Sequence, residues 1–186
     1  MHLIVFAHPD NEKSHNAAIL RHVEARLKAD FREYNVIDLY SDGFEPVLRL
    51  TPESEQKNEL VKKYRHRVDE AECLVFIFPV WWNNMPAILK GFFDIVFSPG
   101  FSHEFNSKDG KIKQKLSGKK AVAINTFGRS EDEYRENHKS PDLVLDDAIL
   151  RFCGVEVVSR LNWFDVRPPS IIPPAIANKI DEVLVE

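Results

Sequence analysis

An unbroken apolar run, residues 74–78, meets Pro79, two tryptophans and two amides before a helical pattern takes over, and this most constrains what the chain can fold into. A continuous rather than alternating apolar run predicts a strand buried on both faces, as in the middle of a parallel sheet. Proline has no N–H to donate, so Pro79 is expected to end the ladder. Residues 80–85 then fall at the carboxyl end of a central strand, where open α/β sheets bind their ligands. Trp81 and Trp82 there admit two readings, a platform for a flat aromatic ligand or ordinary core residues.

The rest of the chain alternates in the same way. Residues 3–7 form a buried-strand run, and Ala17, Leu20, Val23 and Leu27 share a helical face over residues 17–27. Residues 34–40 predict a second strand, closed by Ser41, Asp42 and Gly43. A helix is expected from Thr51-Pro52 to residue 71, with Leu60, Val61, Tyr64, Val68 and Ala71 on one stripe. After strand 74–78 come a helix over 86–96, a strand over 119–126, a helix over 143–152, a strand over 155–164 and a closing helix over 175–185. Strands alternating with helices require crossover connections, hence a parallel sheet with helices on both faces. Five such strands predict an α/β, doubly wound, flavodoxin-like sheet of order 2-1-3-4-5 in a single domain, residues 1–186.

With 13 phenylalanines and 44% hydrophobic residues, 186 residues can build a substantial core. A net charge of -4 and a pI near 6.0 give no pull towards nucleic acid or an anionic membrane. Cys73 and Cys153 read as reduced core thiols. The seven histidines are scattered, without metal-ligand spacing, so no metal is expected. The first residues lack a signal peptide's long apolar run, and no stretch is long enough to span a bilayer; a cytoplasmic protein, not embedded in a membrane, is the expectation.

In a 2-1-3-4-5 sheet the loops after strands 1 and 3 face each other at the switch point. The first contains His8, Ser14, His15 and Asn16. Ser14 can cap the helix, worth about 1 kcal/mol, or the free N–H groups there, with the His8 and Asn16 side chains, can hold a phosphate. Asp10 and Glu12 argue against an anion unless they point to solvent. Neither a dinucleotide fingerprint nor a P-loop is present.

His8-Pro9 with Ser14-His15-Asn16, then Phe78-Pro79-Val80-Trp81-Trp82, then Met85-Pro86-Ala87-Ile88-Leu89-Lys90-Gly91-Phe92-Phe93-Asp94, and later Phe152-Cys153-Gly154, resemble the NAD(P)H:quinone oxidoreductase (DT-diaphorase-like) family in its short bacterial form. The resemblance implies a bound flavin, FAD by the Ser14-His15-Asn16 run with FMN as the alternative, reduced by NAD(P)H and reoxidised by a quinone in a two-electron ping-pong cycle. It implies that His8, Ser14, His15 and Asn16 contact the flavin phosphates. Pro79, Val80, Trp81, Trp82 and Asn83 run along the ring in this reading, with backbone N–H groups at its edge. Asn125, Thr126, Phe127 and Gly128 line the other side, although Asn125 and Phe127 replace a threonine and a glycine of the family pattern, so that Phe127 would crowd the ring or stack beside it.

Tyr134 and His138 correspond to residues that stabilise charge on the reduced flavin in some members; a solvated loop over residues 130–138 is the competing reading. Phe101, His103 and Phe105 match aromatic residues laid over the substrate from a partner subunit, which implies a homodimer; a short strand or loop with buried phenylalanines competes. Two other readings stand beside these: a flavin-binding regulatory subunit of a potassium-efflux-type membrane system, and a fold that has lost its flavin.

Overall fold

A computed structural model of the chain describes residues 1–49, 58–136 and 143–185. Its strands are β1 (His2–Phe6), β2 (Tyr34–Asp38), β3 (Cys73–Pro79), β4 (His103–Phe105), β5 (Ile112–Gln114), β6 (Lys120–Thr126) and β7 (Glu156–Trp163). The helices are α1 (His15–Ala29), α2 (Glu59–Glu70), α3 (Ala87–Val96), α4 (Glu131–Glu136) and α5 (Pro174–Val185), with a π-helical segment, Leu143–Arg151, before β7. Five strands pair in parallel in the order β2-β1-β3-β6-β7.

The expected order 2-1-3-4-5 is thus corrected in its numbering, because β4 and β5 form a separate antiparallel ribbon and the fourth and fifth sheet strands are β6 and β7. The helix expected over 143–152 is present, wound as a π-helix over Leu143–Arg151. Residues 131–136, within the stretch for which a solvated loop was one of two readings, make the short helix α4, which buries none of its residues. Strand β3 runs one residue past Phe78: Pro79 pairs with Thr126, and the Val80 N–H still donates to the Thr126 carbonyl at 2.8 Å. The proposed start at Thr51-Pro52 lies outside the described residues; α2 is capped by Asn58, whose side chain accepts from the Leu60 and Val61 N–H groups.

The period of two along each strand sorts side chains between two cores. Leu3, Val5, Leu74, Phe76 and Phe78 face one side, with Val61, Tyr64 and Val68 of α2 and Leu89, Phe92 and Val96 of α3. Ile4, Phe6, Val75 and Ile77 face the other, with Ala17, Ile19, Val23 and Leu27 of α1 and Ile180 and Leu184 of α5. The central strands β1, β3 and β6 are buried on both faces, which is why β3 reads as an unbroken apolar run. Both cysteines are free thiols.

Helix α3 is fixed by a close approach that only glycine permits. A Cβ on Gly91 would sit 2.3 Å from the Pro46 carbonyl oxygen and 2.6 Å from the Pro46 Cα. These are backbone atoms and cannot turn aside. Gly91→Ala is therefore expected to destabilise the fold by about 1–3 kcal/mol despite alanine's better helix propensity. Urea unfolding measures this, and an unchanged midpoint would mean that the Pro46 loop yields freely.

Candidate functional site

The switch point between β1 and β3 opens into a cavity of about 440 Å3 at the carboxyl end of the sheet. It is lined by His8, Ser14, His15 and Asn16 from the β1–α1 loop and helix start, Pro79, Val80, Trp81 and Trp82 after β3, Thr126 and Gly128 after β6, and Val166 after β7.

At the start of α1 the cap is realised. Ser14, with φ -70° and ψ 160°, accepts from the Ala17 N–H at 3.0 Å, and its hydroxyl donates to the Asp10 carbonyl at 2.5 Å. Asp10 is exposed, and its Oδ1 accepts from the Glu12 and Lys13 N–H groups, at 3.0 and 2.8 Å. Those two bonds, Lys13 first, hold its carboxyl below the ordinary carboxylate range. The first-turn N–H groups of His15 and Asn16 have no intrahelical acceptor, and both residues line the cavity.

The side chains there divide their work. His8 Nδ1 accepts from the Asp10 N–H at 3.0 Å, and burial pushes the imidazole below its usual pKa, so it is neutral at pH 7. The His15 ring turns away from the helix start: Nε2–H donates to the Arg167 carbonyl at 2.9 Å, and the ring meets Trp163 edge-on at 5.2 Å. Asn16 is buried, donates to Thr126 Oγ1 at 2.8 Å, and leaves its Oδ1 buried without a partner.

After β3 the chain makes a tight reversal. Trp81 and Asn84 exchange backbone hydrogen bonds at 2.9 and 3.0 Å, with Trp82 and Asn83 between them at φ +52° and +59°. Positive φ at two non-glycine residues in succession is costly backbone, and Trp82 emerges from it fully exposed. Of the five residues expected to offer N–H groups to a ring edge, Pro79 has none, and those of Val80 and Trp81 are consumed inside the protein. Only the Trp82 and Asn83 N–H groups remain without a partner among the described residues.

The loop after β6 departs from expectation at Phe127. Its ring is buried, 4.6 Å from Phe164 and 5.0 Å from Tyr134, so it neither crowds nor stacks in the first cavity. Asn125 is fully buried and bonded to Asn162; it does not line that cavity. A second cavity of about 450 Å3 adjoins the first through Val80, Trp82 and Gly128, and adds Asn83, Phe127 and Arg129.

Other candidates lie apart. Tyr134 packs in the cluster behind Phe127 and lines neither cavity, and His138 is outside the described residues. Phe101, His103 and Phe105 also line neither: Phe101 packs on Phe97 and under Arg65, His103 is buried between Phe105 and Phe152, and Phe105 is exposed on β4. Val166 and Arg129 were not foreseen. Sheet order carried a signal for both, since any residue just past β6 or β7 must stand at the same end as the switch point.

The residues around the first cavity fit a phosphate-bearing, flat, hydroxylated group. Free helix N–H groups suit the phosphate, the β3 and β6 loops leave a slot between them, and the orphaned Asn16 Oδ1 calls for a donor. Among the described residues no cluster of His, Cys, Asp or Glu is built to hold a metal ion, and no helix is long and apolar enough to cross a membrane.

Comparison with known proteins agrees with this geometry. The flavodoxin-like fold family matches residues 1–185. An uncharacterised NAD(P)H oxidoreductase of Haemophilus influenzae is 30% identical over 163 residues, covering 84% of this chain and 80% of that one. NAD(P)H dehydrogenase [quinone] 1 of Cavia porcellus is 30% identical over 198 residues, covering 91% and 70%. The chain belongs to the NAD(P)H:quinone oxidoreductase family. Among solved structures, Smu.1420 from Streptococcus mutans UA159 superposes with a TM-score of 0.80 at 31% identity, over 98% of this chain and 96% of that one. Nothing found supports the potassium-efflux subunit reading.

Proposed function

We propose that the chain is a flavin-dependent NAD(P)H oxidoreductase acting on quinones or related aromatic acceptors by a two-electron ping-pong cycle. The observation that carries this reading is the first cavity, with its unpaired helix N–H groups at one end and an open slot between the β3 and β6 loops at the other. When bound, a flavin supplies reversible hydride chemistry, accepting from NAD(P)H and delivering to the acceptor.

The chain's own residues bind and orient. The His15 and Asn16 N–H groups donate to a phosphate, aided by the positive end of α1, whose first turn carries no acidic residue. Asn16 Oδ1 accepts from a hydroxyl of the flavin side chain. The Trp82 and Asn83 N–H groups remain to meet the ring edge. Gly128 keeps the slot clear, and Trp81 and Trp82 shield it from water. Donor and acceptor then take turns against one ring face, where orientation is worth several kcal/mol.

The Ser14-His15-Asn16 run favours FAD over FMN. Phe101, His103 and Phe105 belong over a partner copy's site in this reading, so the working unit is a homodimer, each chain forming one domain. Tyr134 and His138 are proposed to stabilise charge on the reduced flavin.

The purified protein incubated with FAD or FMN is expected to turn yellow and to oxidise NADPH or NADH rapidly only when a soluble quinone is added. Bound flavin without quinone-dependent turnover would point to a non-catalytic role. No flavin uptake would overturn the proposal.

A further inference from the structure

We propose that Arg129 makes the second cavity an anion-recognising subsite, which seats a phosphate, sulfonate or carboxylate group of an aromatic substrate whose ring lies against Trp82. The inference rests on a flavin filling the first cavity, so that the adjoining space is where a substrate meets it.

Four observations support it. Arg129 is the single charged residue among those lining the second cavity. Its guanidinium carbon stands 5.7 Å from the centre of the Tyr134 ring, which is itself held against Phe127 at 5.0 Å and Phe164 at 5.3 Å. The Arg129 backbone is pinned as well, its carbonyl accepting from the Asp165 N–H at 3.0 Å. The cation is therefore placed before any ligand arrives, and no carboxylate among the described residues pairs with it. Trp82 supplies the ring platform: it lines the same cavity, is fully exposed, and is presented by backbone at φ +52°.

Nearby acids do not occupy the subsite. Glu131 pairs with Arg135, Glu133 accepts from Ser130, and α4 turns none of its carboxylates into the cavity lining. A guanidinium stays charged throughout the working pH range and offers paired N–H donors matched to an oxyanion.

Two substrates could bring the anion, the nicotinamide dinucleotide through the extra phosphate that distinguishes its NADP form, or the acceptor through an acidic substituent. Dissociation constants measured by tryptophan quenching on the flavin-loaded protein distinguish them. The ligands are 1,4-naphthoquinone against 1,4-naphthoquinone-2-sulfonate, and the oxidised dinucleotides NAD+ against NADP+, which do not reduce the flavin, with wild type, Arg129→Gln and Arg129→Lys. Arg129→Gln is expected to reduce the preference for the more highly charged member of at least one pair by about tenfold, and Arg129→Lys to restore much of it. A change in the naphthoquinone pair assigns the anion to the acceptor; a change in the nicotinamide pair assigns it to the donor. Both ratios unchanged would overturn the proposal.

Should Arg129→Gln fail to fold, salt dependence of the wild-type constants gives the same decision. Within each pair the more highly charged ligand must weaken with salt more steeply than its partner, and equal behaviour in both pairs refutes the subsite. Flavin uptake by the wild type, titrated beforehand, reports separately on the first cavity, so its failure cannot be mistaken for failure of Arg129.

Discussion

Gly128→Leu is expected to lower flavin affinity by about a hundredfold or more, equivalent to about 2.7 kcal/mol, while leaving the fold intact. A Cβ built on Gly128 meets nothing within 4 Å, and its backbone is not in the left-handed region, so an added side chain is not strained. The space it would enter is the slot shared by the two cavities. An exposed substitution of this kind changes stability by only about 0.5 kcal/mol in either direction. Flavin titration and thermal unfolding of the apoprotein, run side by side, separate the two effects. Undiminished affinity would remove the ring from the slot between the β3 and β6 loops.

The opposite pattern is expected from Phe92→Ala. Phe92 is fully buried, with ring centres of Phe93, Phe97, Tyr64 and Phe44 at 5.5, 5.8, 5.9 and 6.4 Å. Removing it takes away the hub of this aromatic cluster and leaves a hole that rigid neighbours fill poorly. The cost is about 3–5 kcal/mol out of a total stability of about 5–15 kcal/mol. For a chain of this size that lowers the melting temperature by roughly 6–20 °C. Phe92 lies across the sheet from α1, so surviving protein should still take up flavin. A loss below about 1 kcal/mol would mean that the cluster repacks, contrary to the tight geometry.

The sheet was legible because its central strands β1, β3 and β6 are buried on both faces, and burial writes itself as uninterrupted apolar residues such as those of β3. The parts that escaped bury little. Ribbon strand β5 is exposed at all three residues, and α4 buries none of its six, so neither carries a hydrophobic period to read. The ribbon was legible only in part: β4 falls where a short strand was one reading of Phe101, His103 and Phe105, and Asp109-Gly110 is a turn pair with Gly110 at φ +69°. The π-helical winding escaped for another reason: an apolar stripe locates a helix but hardly distinguishes one hydrogen-bond pitch from another.

At the site, sheet order sufficed to bring the β1, β3 and β6 loops together, because strand ends must lie where the strands lie. Side-chain direction was not legible. Phe127 looked like an obstacle to the ring until β7 delivered Phe164 beside it, and the N–H groups of Val80 and Trp81 looked free until Thr126 and Asn84 claimed them. These outcomes depend on partners far off in the chain, which no local pattern announces.

The hydrogen bond from Asn16 to Thr126 joins residues 110 positions apart, and it sits between the end of the cavity that suits a phosphate and the slot that suits a ring. The binding site is therefore absent from any partly assembled chain: until β6 has docked beside β3, one half of the cavity has no opposite wall. A ligand spanning both halves acts as a clasp on the most non-local part of the topology. By mass action it favours the fully assembled sheet, and the protein's resistance to unfolding should rise with free flavin concentration as steeply as the binding constant allows.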